Sequence, residues 1–167
     1  MKQETATIDD VQPGDAAATD RIERTVLIDA PRDRVWRALA NAEEFGTWFG
    51  ANLKGQAFSP GKRARGPITH CGHEHVFFDV VVDRIDPPKL LSYRWHPYAV
   101  EPSVDYSAEE PTLVTFTLQE VPGNRTRLTV VESGFDQVPP HRRLEAFRKN
   151  SGGWEAQLEN IARHASA

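Results

Sequence analysis

From His75 to Ile85 the chain alternates, with Val76, Phe78, Val80 and Val82 on one face and Asp79 and Asp83 on the other, Phe77 and Val81 lying between them. A strand of this pattern has one face to bury and one to leave wet. Leu91, Tyr93 and Trp95 repeat the pattern after the turn at Asp86-Pro87-Pro88. Val114, Phe116 and Leu118, and then Leu128 and Val130, repeat it around Pro122-Gly123-Asn124. Matching the apolar faces of the first hairpin sets a register in which Val80 opposes Trp95, Val82 opposes Tyr93 and Asp79 opposes His96. One long helix, Pro140 to about His164, offers a covering stripe of Leu144, Phe147, Ser151, Trp154, Leu158 and Ile161. Gly152-Gly153 in its middle costs about 1 kcal/mol per residue relative to Ala, which implies close packing or a bend there.

The remaining elements fit around that core. Ile22 to Ile28 reads as a strand, although Arg24 interrupts its apolar face. Asp29-Ala30-Pro31 reads as a helix start with Asp29 as cap. Val35, Trp36, Leu39 and Ala40 follow at helical spacing, and a second short helix carries Phe45, Trp48 and Phe49 up to Gly50. Ala51–Phe58 and Arg63–Thr69 read as strands flanking Ser59-Pro60-Gly61. The order is one strand, two short helices, about six strands and a long helix. An α+β architecture follows, a curved antiparallel sheet wrapped around the C-terminal helix.

Residues 1–20 carry one base and five acids, the whole of the net charge of −4, and read as a disordered tail before a single domain at 21–167. The neutral domain has no bulk attraction for phosphate backbones, so no nucleic-acid partner is expected. The lone Cys71 points to a reducing compartment, and no apolar run reaches membrane length. A cytoplasmic protein is expected.

Local motifs narrow the fold. Ala30-Pro31 followed by Val35-Trp36 and Trp48-Phe49-Gly50 opens the series. Phe58-Ser59-Pro60-Gly61, Tyr93-Arg94-Trp95-His96-Pro97, Glu132-Ser133-Gly134-Phe135 and Gly152-Gly153-Trp154 continue it. In order and spacing these resemble the family similar to the activator of Hsp90 ATPase, within the START-like (SRPBCC, Bet v 1-like) helix-grip superfamily, over roughly residues 21–164. The resemblance implies a helix-grip fold whose cavity takes apolar ligands in some relatives. The eukaryotic namesake stimulates a chaperone ATPase with the help of a second, N-terminal domain, in place of which this sequence offers only its acidic tail.

Candidate site residues follow from side-chain chemistry. Glu74 and Glu132 share the inward parity of the apolar residues, and an inward carboxylate must be hydrogen-bonded, paired or protonated. The aromatic residues Trp48, Phe49, Phe58, Phe78, Tyr93, Trp95, Phe116, Phe147 and Trp154 either line a pocket or fill a core. His70-Cys71-Gly72-His73-Glu74-His75 offers metal-ligand types, but no second cluster closes a tetrahedral site, so neither metal nor cofactor is expected. Pro97–Pro111, with four acids and no base, is a candidate lid carrying Tyr106. The leading expectation is a non-enzymatic domain, monomer or homodimer, that binds a small apolar or amphipathic molecule between sheet and helix. The alternatives are an interaction module for a chaperone of the Hsp90 type, and a cyclase- or hydrolase-type enzyme using Glu74 or Glu132.

Overall fold

A computed structural model describes residues 20–166. The proposed tail lies outside the described residues except for Asp20. Six antiparallel strands form one open sheet: β1 (Arg21–Ile28), β2 (Arg63–Pro67), β3 (Phe77–Asp86), β4 (Leu90–Trp95), β5 (Thr112–Val121) and β6 (Arg125–Ser133). Their spatial order is β1-β6-β5-β4-β3-β2. Helices α1 (Arg32–Ala40) and α2 (Ala42–Phe49) follow β1, and α3 (Pro140–Ser166) closes the chain. This is the expected helix-grip fold, with five strands after the short helices.

The alternation in sequence becomes one inner face. A row crosses the sheet from Val82 through Tyr93, Val114 and Glu132 to Ile22, each residue paired with the next. The Val82–Tyr93 pair is the one the apolar faces demanded. The β3–β4 ladder begins at Val81–Arg94, so the expected Val80–Trp95 and Asp79–His96 pairs lie beyond it. A bulge at Asp83 interrupts the ladder, and there the Ser92 hydroxyl donates to the Asp83 carboxylate at 2.9 Å. Arg24 occupies an inner-face position because α3 meets it with polar groups, the Ser151 hydroxyl and the Glu155 carboxylate.

Four local expectations are corrected. The N-cap of α1 is Pro31, without a side-chain cap bond, and not Asp29. Residues 51–58 form no strand: Gly55 turns the chain at φ 79°, and the only ladder contact there is an isolated bridge from Ala51 to Ile68. The buried stripe of α3 runs through Ala146, Trp154, Leu158, Ile161 and Ala165, while Leu144 is 56% exposed. The stripe inferred from sequence was therefore turned by part of a helical step at its N-terminal end. Finally, Gly152 and Gly153 are exposed, and a Cβ on either would meet nothing within 4 Å. Close packing does not explain them. Gly152→Ala and Gly153→Ala are each expected to raise stability by about 1 kcal/mol in denaturant unfolding. A loss of stability in either variant would contradict that placement.

The outer edge of the sheet at β2 is short and already partnered. The Gln56 side chain accepts from the Arg65 backbone N–H at 2.8 Å and donates to the Arg65 carbonyl, and Asn52 N–H donates to the Pro67 carbonyl at 2.9 Å.

Candidate functional site

Glu132 is the center of the inner face. It is fully buried, and both carboxylate oxygens are occupied by donors from three other elements. Oε1 accepts from the Trp154 indole N–H at 2.8 Å and from Asn150 Nδ2 at 2.9 Å, both on α3. Oε2 accepts from the Trp95 indole N–H at 2.7 Å, from β4, and from the Thr112 hydroxyl at 2.5 Å, from β5. Four donors on two oxygens meet the accepting positions of the carboxyl group, and no Arg, Lys or His among the described residues pairs with it. The node ties β4, β5, β6 and α3 together. Sequence parity placed Glu132 inward, and the structure supplies the hydrogen bonds that make that position tenable.

Glu74 is placed differently. β3 begins at Phe77, and His73–Val76 is a turn closed by Val76 N–H on the His73 carbonyl. Glu74 is exposed on that turn, where its carboxylate accepts from Gly72 N–H at 3.0 Å. The inward position expected for it assumed that the alternation of β3 extended back through His75. His70, Cys71, His73 and His75 are likewise exposed, and no group of three or more metal-ligand side chains is assembled among the described residues.

The aromatic residues form a packed interior. Phe45, at the center, lies 4.6 Å from Trp48, 5.2 Å from Phe49, 5.4 Å from Phe58, 5.3 Å from Phe78 and 6.3 Å from Tyr93, between ring centroids. Trp95 stacks on Trp154 at 5.7 Å, and Phe116 meets Trp154 edge-on at 5.6 Å. At these spacings the rings are in contact, so the space between sheet and helix is filled where they lie. Phe147 stands apart, paired with Phe135 at 5.3 Å. Sequence marks Phe45 only as a helix residue, although its helical spacing to Trp48 and Phe49 is a signal for its place among them.

The open space lies at the end of the interior. A cleft of about 1150 Å³ has Phe49, Phe78, Trp95 and Asn150 on its inner wall, half-buried Ile68, Val76 and Val100 beside them, and the Pro97–Pro111 loop along its rim. It also wraps around the sheet to outer-face residues such as Arg63, Asp79 and Arg94. Of the aromatic site candidates, Phe49, Phe78 and Trp95 line this cleft. Trp48, Phe58, Phe116 and Trp154 pack behind it, as does Tyr93. The loop is held by α3: Arg142 pairs with the Glu109 carboxylate at 2.6 Å and donates to the Pro97 carbonyl at 2.7 Å, and its guanidinium lies 4.7 Å from the Tyr106 ring center. This base, 33 residues from its acid, is what the acidic loop lacked within itself.

Tyr93 carries a buried hydroxyl with no hydrogen-bond partner. Burial, and then the negative charge of Glu132, push its phenol well above the ordinary value of 10.0. Because folding favours the protonated phenol, its share of stability is fully present below about pH 10 and is lost as the pH rises beyond it. Tyr93→Phe is expected to raise stability at neutral pH by about 1 kcal/mol, since it removes an unpaired buried donor. It is also expected to flatten the decline of stability above pH 10. Denaturant unfolding at pH 7 and pH 11 measures both, and a variant less stable than the parent would mean that the hydroxyl has a partner.

An open antiparallel sheet gripping a long terminal helix, with an aromatic interior and a cleft at one end, defines a START-like helix-grip domain. A family model described as activator of Hsp90 ATPase homolog 1-like protein matches residues 29–166. The chain belongs to that family. Among solved structures it is similar to MLL2253 from Mesorhizobium loti, at 25% identity and a TM-score of 0.64, over 86% of this chain and 94% of that one. It is also similar to DynU16, a protein of the dynemicin biosynthetic locus, at 25% identity and a TM-score of 0.64. That match covers 87% of this chain and 46% of the other, so the chain spans about half the length of that relative. The Aha1 dimer of Colwellia psychrerythraea shares the fold at 16% identity and a TM-score of 0.63, over 87% and 96% of the two chains. No curated protein matches the chain. Among the described residues no helix is long and apolar enough to cross a membrane.

Proposed function

We propose that the domain binds a small apolar or amphipathic molecule in the cleft, without catalysing a reaction on it. The observation that carries this reading is the cleft of about 1150 Å³, whose inner wall is aromatic through Phe49, Phe78 and Trp95, while its charged lining lies on the outer face of the sheet and on the loop at the rim. Ligand sites set mostly apolar surface beside a few oriented polar atoms, and the aromatic inner wall with Asn150 beside it is a surface of that kind. The packed interior shifts the site from the middle of the grip to its end. Acid–base chemistry by Glu132 finds no support, since donors occupy both oxygens and the residue has no solvent contact. The test is titration with the neutral fluorescent probe N-phenyl-1-naphthylamine. Saturable binding that Trp95→Ala or Val76→Glu weakens about tenfold or more is expected. Binding unchanged by Val76→Glu, a half-buried lining position outside the packed core, would remove the cleft from the reading.

A second reading rests on family membership. The activator of Hsp90 ATPase gives the family its name, and a chaperone of that type is the partner it suggests. Stimulation of the ATPase of a purified Hsp90 by this chain would support it, and neither binding nor stimulation would set it aside.

A further inference from the structure

Two side chains of the cleft have their hydrogen-bonding sense fixed by what stands behind them. Asn150 points its amide at Glu132 Oε1, 2.9 Å away. A carboxylate only accepts, so the group facing it must be the NH₂, and the Asn150 carbonyl oxygen faces the other way. That oxygen has no partner among the described residues and is not enclosed by the protein, and Asn150 lines the cleft. His96 also lines the cleft, with Nε2 at 2.9 Å from the Glu109 backbone carbonyl. A carbonyl only accepts as well, so Nε2 carries the hydrogen and neutral His96 has a bare Nδ1. Meanwhile the donors behind the inner wall, the indole N–H groups of Trp95 and Trp154 and the Thr112 hydroxyl, are all turned to Glu132.

The inner end of the cleft therefore offers acceptors and withholds donors. The Glu132 carboxyl, which no Arg, Lys or His among the described residues pairs with, also stands behind it. Three guanidinium groups line the cleft, all from the opposite face of the sheet: Arg63 and Arg65 are engaged by Asp79 at 2.6 and 3.4 Å, and Arg94 lies on that same outer face. We infer that the cleft selects an apolar molecule ending in a neutral or cationic hydrogen-bond donor, an alcohol or an amine, over a carboxylic acid of the same length, and that Asn150 and His96 set this choice. Glu132 acts here as a positioning residue, since it fixes which way the Asn150 amide faces.

This inference rests on the proposed binding function, and one experiment separates the two. The probe N-phenyl-1-naphthylamine is displaced from the full chain by 1-decanol, methyl decanoate and sodium decanoate in parallel at pH 8. Decanol is expected to compete about tenfold more strongly than the ester, which lacks a donor, and decanoate more weakly than either. In Asn150→Ser or Asn150→Ala the advantage of decanol over the ester is expected to shrink to about twofold, with the ester itself little changed. Equal competition by all three, or a lead for decanoate through Arg94, overturns the selectivity while leaving a binding cleft in place. Failure of the parent chain to bind the probe or any of the three removes the binding reading, and the selectivity with it. If neither Asn150 variant folds, the order of the three ligands on the parent chain still decides the ligand class.

Discussion

Replacing Glu132 by Ala is expected to cost about 4 kcal/mol or more in denaturant unfolding, a large part of the stability of an ordinary domain. The truncation strands the indole N–H of Trp95, that of Trp154, the Asn150 amide and the Thr112 hydroxyl together, and a buried donor without an acceptor costs about 1–3 kcal/mol. Water entering the vacated volume recovers part of the loss, which keeps the total below the simple sum. Glu132→Gln is a sharper probe, because it keeps the shape. One of its two ends becomes an NH₂ group, which would face either two α3 donors or the Trp95–Thr112 pair. The Thr112 hydroxyl can turn and accept, so the second orientation leaves only the Trp95 N–H unmatched, and a cost of about 1–3 kcal/mol is expected. A loss under about 1 kcal/mol for Glu132→Ala would mean that the four bonds contribute little net stability.

Two glycines well away from that node are expected to be nearly as intolerant. A Cβ on Gly66 would lie 1.9 Å from the backbone oxygen of Asn52, and one on Gly46 would lie 2.3 Å from that of Ala51. Both obstacles are main chain, held by the Asn52–Pro67 hydrogen bond and by Ala51 N–H on the Gly46 carbonyl. Neither can swing aside as a side-chain tip would. Gly66→Ala and Gly46→Ala are each expected to lose about 3 kcal/mol or more. Gly46 is the more telling, since it lies inside α2, where helix propensity alone favours Ala by about 1 kcal/mol. The sign of its effect therefore separates backbone approach from propensity. The same substitution at Gly152 and Gly153, inside α3 and facing open space, is expected to go the other way.

Period-two patterning is a strong local signal, and it made the sheet readable: the Val82–Tyr93 register and the inward turn of Glu132 both follow from it. It failed where a strand's start depends on its neighbours. The His73–Val76 turn replaces two residues of expected strand, and this moves Glu74 from an inner wall to an exposed hairpin of backbone. In α3 the apolar stripe passes over the polar Asn150, although it sits one helical turn before Trp154. Reading a polar residue in a buried row as a partner for Glu132 would have found the node. The Arg142–Glu109 pairing had no comparable mark, because nothing local connects a loop acid to a helix base 33 residues further on. The position of the cleft was not legible for a related reason. Whether nine aromatic residues enclose space or fill it depends on ring orientations that pattern does not encode.

The side chain of Gln56, laid against Arg65 at the margin of the sheet, bears on how the protein behaves when concentrated. A bare margin is a template on which another extended chain can grow, and repeated growth of that kind ends in fibres. Here a single primary amide supplies both the acceptor and the donor that an incoming chain would bring, so recruitment must first displace it. Hydrolysis of that amide to an acid would keep the acceptor and set an anion against the Arg65 carbonyl. One slow chemical event during long storage would thus unlatch the margin, and old preparations are where turbidity would first arise.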